Sequence, residues 1–540
     1  MNKKFDSTPF VSRYLLGSLA CFFSLLILTG CGIFPSASAA PVDVNFDTPL
    51  VEIEGGIRLD SAESQWDGYG ETIDVRGDVM VIGASEWNQC GPGSAYVYRL
   101  SGGEWREEAQ LTASDRDAFK TQARQFEAMR FGTAVALGEG IIAVGAPGNV
   151  PMEKGGQPGA VYLYEYDGQS WVETVILTPG GSLEGTPSRL TPSVCTRFRP
   201  SSFGSLVALD GDTLVIGGDA GGVFYVYKRG ESDWQEQARV QIPIVVARDL
   251  YVPFISLSGD TLALSAFYAS PQEQSQEYPQ VLSGNVVVYV FEKTVDAWQE
   301  SFRFTPEEGE TDLLFFYEVN FGASVTLGGE SGQANLLAIG LPGFPDWSEV
   351  QEHVLFGTGN PDQIPVFPVS KHQTGAVYLF ERAGDSWSKQ ATLKPVGWET
   401  PPGPGSFPSV PTHLEEEQEN TIDPNTGLSA SIDWSGFVFP GSIFSENPEV
   451  TFFGATVDLD GDQLAVTAGF ANATYVLERE DGDWVYQFSV KPVNEKAEVW
   501  EDYAQVVKIS GRTLLLGTPG EFGNSAYVFD LCVTAMLDCK

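Results

Sequence analysis

Residues 131–147 read FGTAVALGEGIIAVGAP, and residues 159–171 read GAVYLYEYDGQSW. An aromatic residue and a glycine open a short apolar run. A glycine-bearing turn leads into a second apolar run, and a third run of Val, Tyr and Leu ends at a polar turn and Trp171. Short runs of β-branched and aromatic residues punctuated by Gly and Asp are strands joined by tight turns. The stretch WREEAQLTASD from Trp105 shows the fourth strand that such a tryptophan leads into. These strands are near-continuously apolar, so both sheet faces are expected to be covered.

The opening phrase recurs seven times: YGETIDVRGD from Tyr69, FGTAVALGEG from Phe131, FGSLVALDGD from Phe203, YVPFISLSGD from Tyr251, FGASVTLGGE from Phe321, FGATVDLDGD from Phe453 and YAQVVKISGR from Tyr503. An aromatic strand follows each one, at Ala95, Val161, Phe224, Val287, Val377, Thr474 and Ala526, and six of them lead to a tryptophan, Trp105, Trp171, Trp234, Trp298, Trp387 or Trp484. Repetition at this period means a solenoid or a propeller. A sheet covered on both faces by copies of itself is a propeller blade. The seventh unit lacks its fourth strand, and residues 53–61, with EGGIRLDS at the centre, resemble the missing piece. The expected fold is all-β, a seven-bladed β-propeller of four-stranded blades whose N-terminal strand completes the last blade.

Those phrases resemble bacterial FG-GAP repeats, which are related to the propeller of integrin alpha subunits. The resemblance covers residues 51–531 and implies a propeller that works in cell-surface adhesion or ligand binding. Val252 and Ala504 depart from it in the FG glycine, and Ser265 and Thr467 in the glycine of the GAP phrase. These blades are expected to keep their strands and lose some turn geometry.

The chain has 540 residues, with 31 Lys+Arg against 72 Asp+Glu and a net charge of −41. That balance excludes a nucleic-acid partner, because phosphate binding needs clustered cations. Residues 1–30 read as a signal peptide, with Lys3, Lys4 and Arg13 before an apolar run too short to span a bilayer comfortably. The run ends in Leu28-Thr29-Gly30-Cys31, which resembles the bacterial lipobox. The resemblance implies a diacylglycerol on Cys31 and attachment of an exported lipoprotein to a membrane through that lipid only. An ordinary cut after Ala39 is the alternative. Residues 31–50 then form a flexible tether, and 532–540 a C-terminal tail. Cys90, Cys195, Cys532 and Cys539 remain for disulfides; Cys532 and Cys539 are close in sequence, but four cysteines allow three pairings.

Arg76-Gly77-Asp78 spells an integrin-recognition tripeptide, yet it fills the slot held elsewhere by Asp210-Gly211-Asp212, Ser258-Gly259-Asp260 and Asp460-Gly461-Asp462. The expectation is a hairpin turn. Asp458, Asp460 and Asp462 raise calcium as a minor reading, since tight turns lack the length to wrap an ion that takes six to eight oxygens. Asp115, Asp117 and the run 415–417 read as solvated acids. His353, His372 and His413 show no metal spacing, and no nucleophile elbow is present.

In an up-and-down blade the strand 2–3 and 4–1 connections share one face, and the extra length collects there: 114–130, 180–202, 343–373 and 398–451. Long loops on a rigid scaffold carry binding function. These connections hold Trp87, Phe344, Trp347, Phe356, Trp398, Trp434 and Phe437. The expected function is a non-catalytic, lipid-anchored binding or adhesion module with a protein or glycan ligand. The alternatives are a structural subunit of an envelope assembly and a polysaccharide-active enzyme.

Overall fold

The computed structural model describes residues 52–60, 67–85, 92–116, 129–148, 159–179, 203–217, 222–231, 233–242, 249–251, 254–269, 281–295, 297–305, 313–316, 324–329, 334–342, 375–394, 453–468, 473–492, 505–519 and 524–534. The chain divides into two compact units, residues 1–38 and 39–540, and every described residue belongs to the second. Cys31, Cys90, Cys195, Cys539 and the three histidines lie outside the described residues.

Seven antiparallel sheets follow one another along the chain, at residues 69–111, 134–177, 206–241, 249–316, 324–393, 453–492 and 506–530. The first strand of each is innermost: Tyr69–Arg76, Ala134–Gly138, Leu206–Asp210, Ile255–Ser258, Ser324–Gly328, Phe453–Asp460 and Val506–Ser510. Each of these packs against the inner strand of the next blade, and the seventh packs against the first, so the ring is closed. The seven-bladed propeller expected from the repeat is what the chain forms.

The repeated residues explain the seams between blades. In the four blades where its side chain is described, the leading aromatic is fully buried and meets the third-strand tyrosine of its own blade edge-on, as in Phe131–Tyr162 (5.4 Å) and Phe203–Tyr225 (5.2 Å). The glycine after it takes φ 92° at Gly132 and lies against the preceding blade. A Cβ on Gly145 would land on the Gly204 carbonyl oxygen of the next blade. The same conflict arises for Gly83 with Gly132, Gly340 with Gly454, and Gly517 with Gly70. Four seams are therefore backbone laid directly on backbone. Around that contact, interlocked apolar clusters fill each seam, such as Val144, Tyr162, Val97 and Phe131 between blades 1 and 2.

Ser265 and Thr467 take the glycine position in blades 4 and 6 and are fully buried. Both keep their strands, Thr261–Ala269 and Gln463–Ala468. The Thr467 hydroxyl accepts the Thr456 N–H at 2.8 Å within its own blade. Blade 4 has a divided first strand, Asp249–Tyr251 and then Ile255–Ser258. Its second and third strands, Thr261–Ala269 and Val281–Lys293, run on past the ring. Asp249–Tyr251 and Leu313–Phe316 flank the overhang and pair with it.

The N-terminal segment does more than the repeat predicts. Ile57–Asp60 pairs antiparallel with Asn524–Asp530 and completes blade 7, as expected. Glu52–Gly55, by contrast, leaves that blade and lies parallel to Asp483–Pro492 as a fifth strand of blade 6. Gly56 makes the crossing at φ 98°, and a Cβ there would strike the Phe529 ring. The chain beyond blade 7 forms one helical turn, Leu531–Thr534.

Gly145→Ala should lower stability by on the order of 3 kcal/mol, because two blades must separate to admit the methyl. Gly211→Ala, at φ 57° with nothing within 4 Å, should cost only about 1 kcal/mol. Guanidinium unfolding of the two variants checks the contrast.

Candidate functional site

The hairpin face carries the tripeptide Arg76-Gly77-Asp78. Arg76 pairs with Val79 across a two-residue turn, and Gly77 sits at its first central position with φ 61°. Gly211, Gly259, Gly461 and Gly511 repeat this at 57°, 54°, 59° and 53°. All three side-by-side residues are engaged internally. The Arg76 guanidinium reaches across blade 2 to Asp210 in blade 3 at 3.2 Å. The Gly77 N–H donates to the Ser510 hydroxyl at 3.2 Å, and Asp78 pairs with Arg99 at 3.4 Å. Exposed pairs of this kind contribute about 0–1 kcal/mol each. The tripeptide is a turn.

Asp458, Asp460 and Asp462 do not fit calcium. Asp458 is buried and accepts the Ile509 N–H at 2.8 Å and the Lys508 ammonium at 3.0 Å. Asp460 accepts the Gly511 N–H, and Asp462 sits in the exposed turn beyond it. Carboxylates committed to amides and an ammonium leave too few oxygens for the ion. Among the described residues no group of three or more His, Cys, Asp or Glu is arranged to hold a metal. Asp115 is less solvated than its sequence setting suggests, because the Tyr162 hydroxyl donates to it at 2.8 Å. Burial first, then that carboxylate, raises the Tyr162 hydroxyl well above the usual tyrosine range. Asp117 and 415–417 lie outside the described residues.

A polar seam at the axis was not foreseen. In the sixth position of the phrase the chain places Asp74, Ala136, Ala208, Ser256, Thr326, Asp458 and Lys508. Three of these side chains take the next blade's main-chain N–H: Asp74 from Leu137 at 2.7 Å, Ser256 from Leu327 at 3.0 Å, Asp458 from Ile509. Asp210 does the same for Gly259 from two positions later. Further out, third-strand arginines pair with the preceding blade, Arg229–Glu165, Arg382–Glu292 and Arg479–Glu381. The only cue to these contacts is the variation of one phrase position from Asp to Ala to Lys.

Burial raises the carboxyls of Asp74 and Asp458, and Lys508 partly offsets this. Burial also works to lower the Lys508 ammonium, but Asp458 and Asp74 outweigh it and keep the lysine protonated above its usual range.

The opposite face bears the 2–3 and 4–1 connections. Its described feature is the blade 4 overhang, where Val281 faces Phe316 and Tyr251 faces Phe267 in register. Trp87, Phe344, Trp347, Phe356, Trp398, Trp434 and Phe437 fall outside the described residues, as do most of 114–130 and all of 180–202, 343–373 and 398–451 save for a few flanking positions. Cys532 is disulfide-bonded, and its partner is not among the described residues.

Residues 105–164 match the FG-GAP repeat family. The chain carries an FG-GAP repeat. The matched stretch runs from the fourth strand of blade 1 to the third strand of blade 2, so this FG-GAP repeat spans a seam rather than one blade. The antiparallel order of four strands recurs in the other blades, with strands added in blades 4 and 6. No curated protein matches the chain. A protein from Lactobacillus plantarum aligns at 11% identity and a TM-score of 0.43, covering 85% of this chain and 93% of its own. The WD40 domain of Toxoplasma gondii coronin aligns at 10% identity and a TM-score of 0.39, covering 91% and 89%.

Asp78→Glu should leave any cell attachment and the melting temperature unchanged, while Gly77→Val lowers stability by about 1–3 kcal/mol. A selective loss of attachment in Asp78→Glu, read in a cell-binding assay, would contradict the turn assignment.

The axis cluster sets a pH dependence. Asp74 and Asp458 hold protons more tightly folded than unfolded. From the ordinary aspartate value of 3.8 up to their raised values, stability therefore falls as pH rises. Lys508→Met removes the compensating cation and deepens that fall. The variant should be less stable at neutral pH by on the order of 2 kcal/mol, discounted for a partly exposed lysine, and regain part of this toward acid. Wild-type and variant denaturation between neutral and mildly acid pH checks the sign.

Proposed function

We propose that the chain is a non-catalytic, lipid-anchored extracytoplasmic binding or adhesion module, presenting the connection-rich face of its propeller to a protein or glycan ligand. The observation that carries this reading is the inequality of the two faces. On the hairpin face, two-residue turns close the strands, and Arg76, Asp78, Asp210 and Asp460 bond within the ring there. On the other, among the described residues blade 4 alone extends four paired strands past the ring, and the longest connections begin and end there. A rigid ring with length concentrated at one end suits recognition. The FG-GAP resemblance agrees with binding, and the lipobox at Cys31 supports anchoring to a membrane.

Replacing 398–451 with a short Gly-Ser connection should keep the ring folded, because loop length costs little closure entropy. The same change should weaken capture of the ligand found in envelope extracts by roughly thirtyfold, the worth of one buried aromatic anchor of about 2 kcal/mol. Cys31→Ala should release the protein from membranes, read by fractionation. Unchanged capture, with loss on altering the 210–212 and 460–462 turns, would move the site to the hairpin face.

A further inference from the structure

Blade 7 is the one blade assembled from both ends of the chain, with Ile57–Asp60 beside Asn524–Asp530. It can leave the ring without breaking the sequence-continuous blades before it, which makes it the least costly sub-global opening. Its seam with blade 6 also departs from the glycine rule on both sides, with Thr467 in blade 6 and Ala504 in the phrase of blade 7. Two other devices hold that seam. At the rim, Glu52–Gly55 lies on blade 6 while Ile57–Asp60 lies on blade 7, so one short segment spans both. At the axis, the sixth phrase position is ionisable in blades 6, 7 and 1 and in no other blade: Asp458, Lys508 and Asp74, against Ala136, Ala208, Ser256 and Thr326.

The geometry of the axial group is directional. Lys508 donates to Asp458 at 3.0 Å, and the other Asp458 oxygen accepts the N–H of Ile509, the residue after that lysine. Blade 7 thus donates two charge-assisted bonds to one carboxylate of blade 6. Asp460 adds a bond to the Gly511 N–H, and the Thr326 hydroxyl approaches Asp458 at 3.4 Å from blade 5. On the far side Asp74 acts on the same ammonium through space while its own oxygens accept the Val75 and Leu137 N–H groups. The Asp458 side chain is 8% exposed and that of Lys508 37%, so the pair is partly desolvated and the ammonium retains an edge of solvent.

We propose that Lys508, bonded to Asp458, is an ionic latch that fixes the ring-closing blade to blade 6, and that releasing it opens blade 7 while the other blades stay folded. The placement accounts for a lysine in an apolar phrase that elsewhere carries small or acidic residues. It also accounts for the concentration of charge at the one seam whose glycines are replaced on both sides.

Hydrogen exchange of the full chain, read by mass spectrometry, tests this. Lys508→Met should exchange at least tenfold faster over 506–530 and 57–60, with peptides from 206–241 unchanged. Ser256→Ala, which removes an uncharged acceptor at the same phrase position, should leave 506–530 at the wild-type rate. If Lys508→Met does not fold, Asp458→Asn decides, since it keeps an acceptor for the Ile509 N–H but loses the ion pair: faster exchange confined to blade 7 and its N-terminal strand supports the latch. Equal acceleration in every blade, or none in 506–530, would overturn it.

Discussion

The close approach of two main chains at the seams is the constraint on which the rest of this protein depends. Where Gly145 meets Gly204, or Gly517 meets Gly70, no side-chain atom fits between blades. That contact sets the spacing of the inner strands. The spacing in turn lets the leading aromatics and third-strand tyrosines interlock and brings each acceptor side chain within reach of the next blade's amide. The paired glycines of the FG and GAP phrases are one device: each half is explained by the other half in the neighbouring blade.

Much of the fold is legible in the residues because the device repeats. A phrase that returns seven times reveals its strands, turns and order by comparison with itself, and the missing fourth strand of blade 7 points to the N-terminus. Features that occur once are harder to read. Glu52–Gly55 is too short to signal a strand, and its parallel register depends on the Ser489–Pro492 edge that only the closed ring creates. A bulge in the outer ladder recurs in six blades three residues after the tryptophan, for example at Glu108 between partners of Tyr98 and Val97. It escapes detection because ordinary polar residues fill it. Bulges bend and twist a strand locally, which suits the outer edge of a blade.

The site divides in the same way. The turn at Arg76-Gly77-Asp78 is readable from its slot, whereas its three internal bonds are not, because Asp210 and Ser510 come from other blades and Arg99 from the third strand of its own, all far away in sequence. Lys508 looks like a lone departure in the seventh phrase until the ring places it beside Asp458. The aspartates raised for calcium read the same way: Asp458 meets the Lys508 ammonium and the Ile509 N–H, and Asp460 the Gly511 N–H, partners that only the ring brings to them.

The account stands on a ring shut by the protein's own N-terminus, and one cross-link measures that directly. Asp60 and Ser525 are register partners, with the serine hydroxyl donating to the carboxylate at 2.7 Å. Cysteines at both positions should oxidise to an intramolecular disulfide, identified as a joined 60–525 peptide pair in monomeric protein, because directly opposed strand residues have the reach a disulfide needs. Absence of that pair, or its appearance only between two chains, would contradict a ring closed within one molecule.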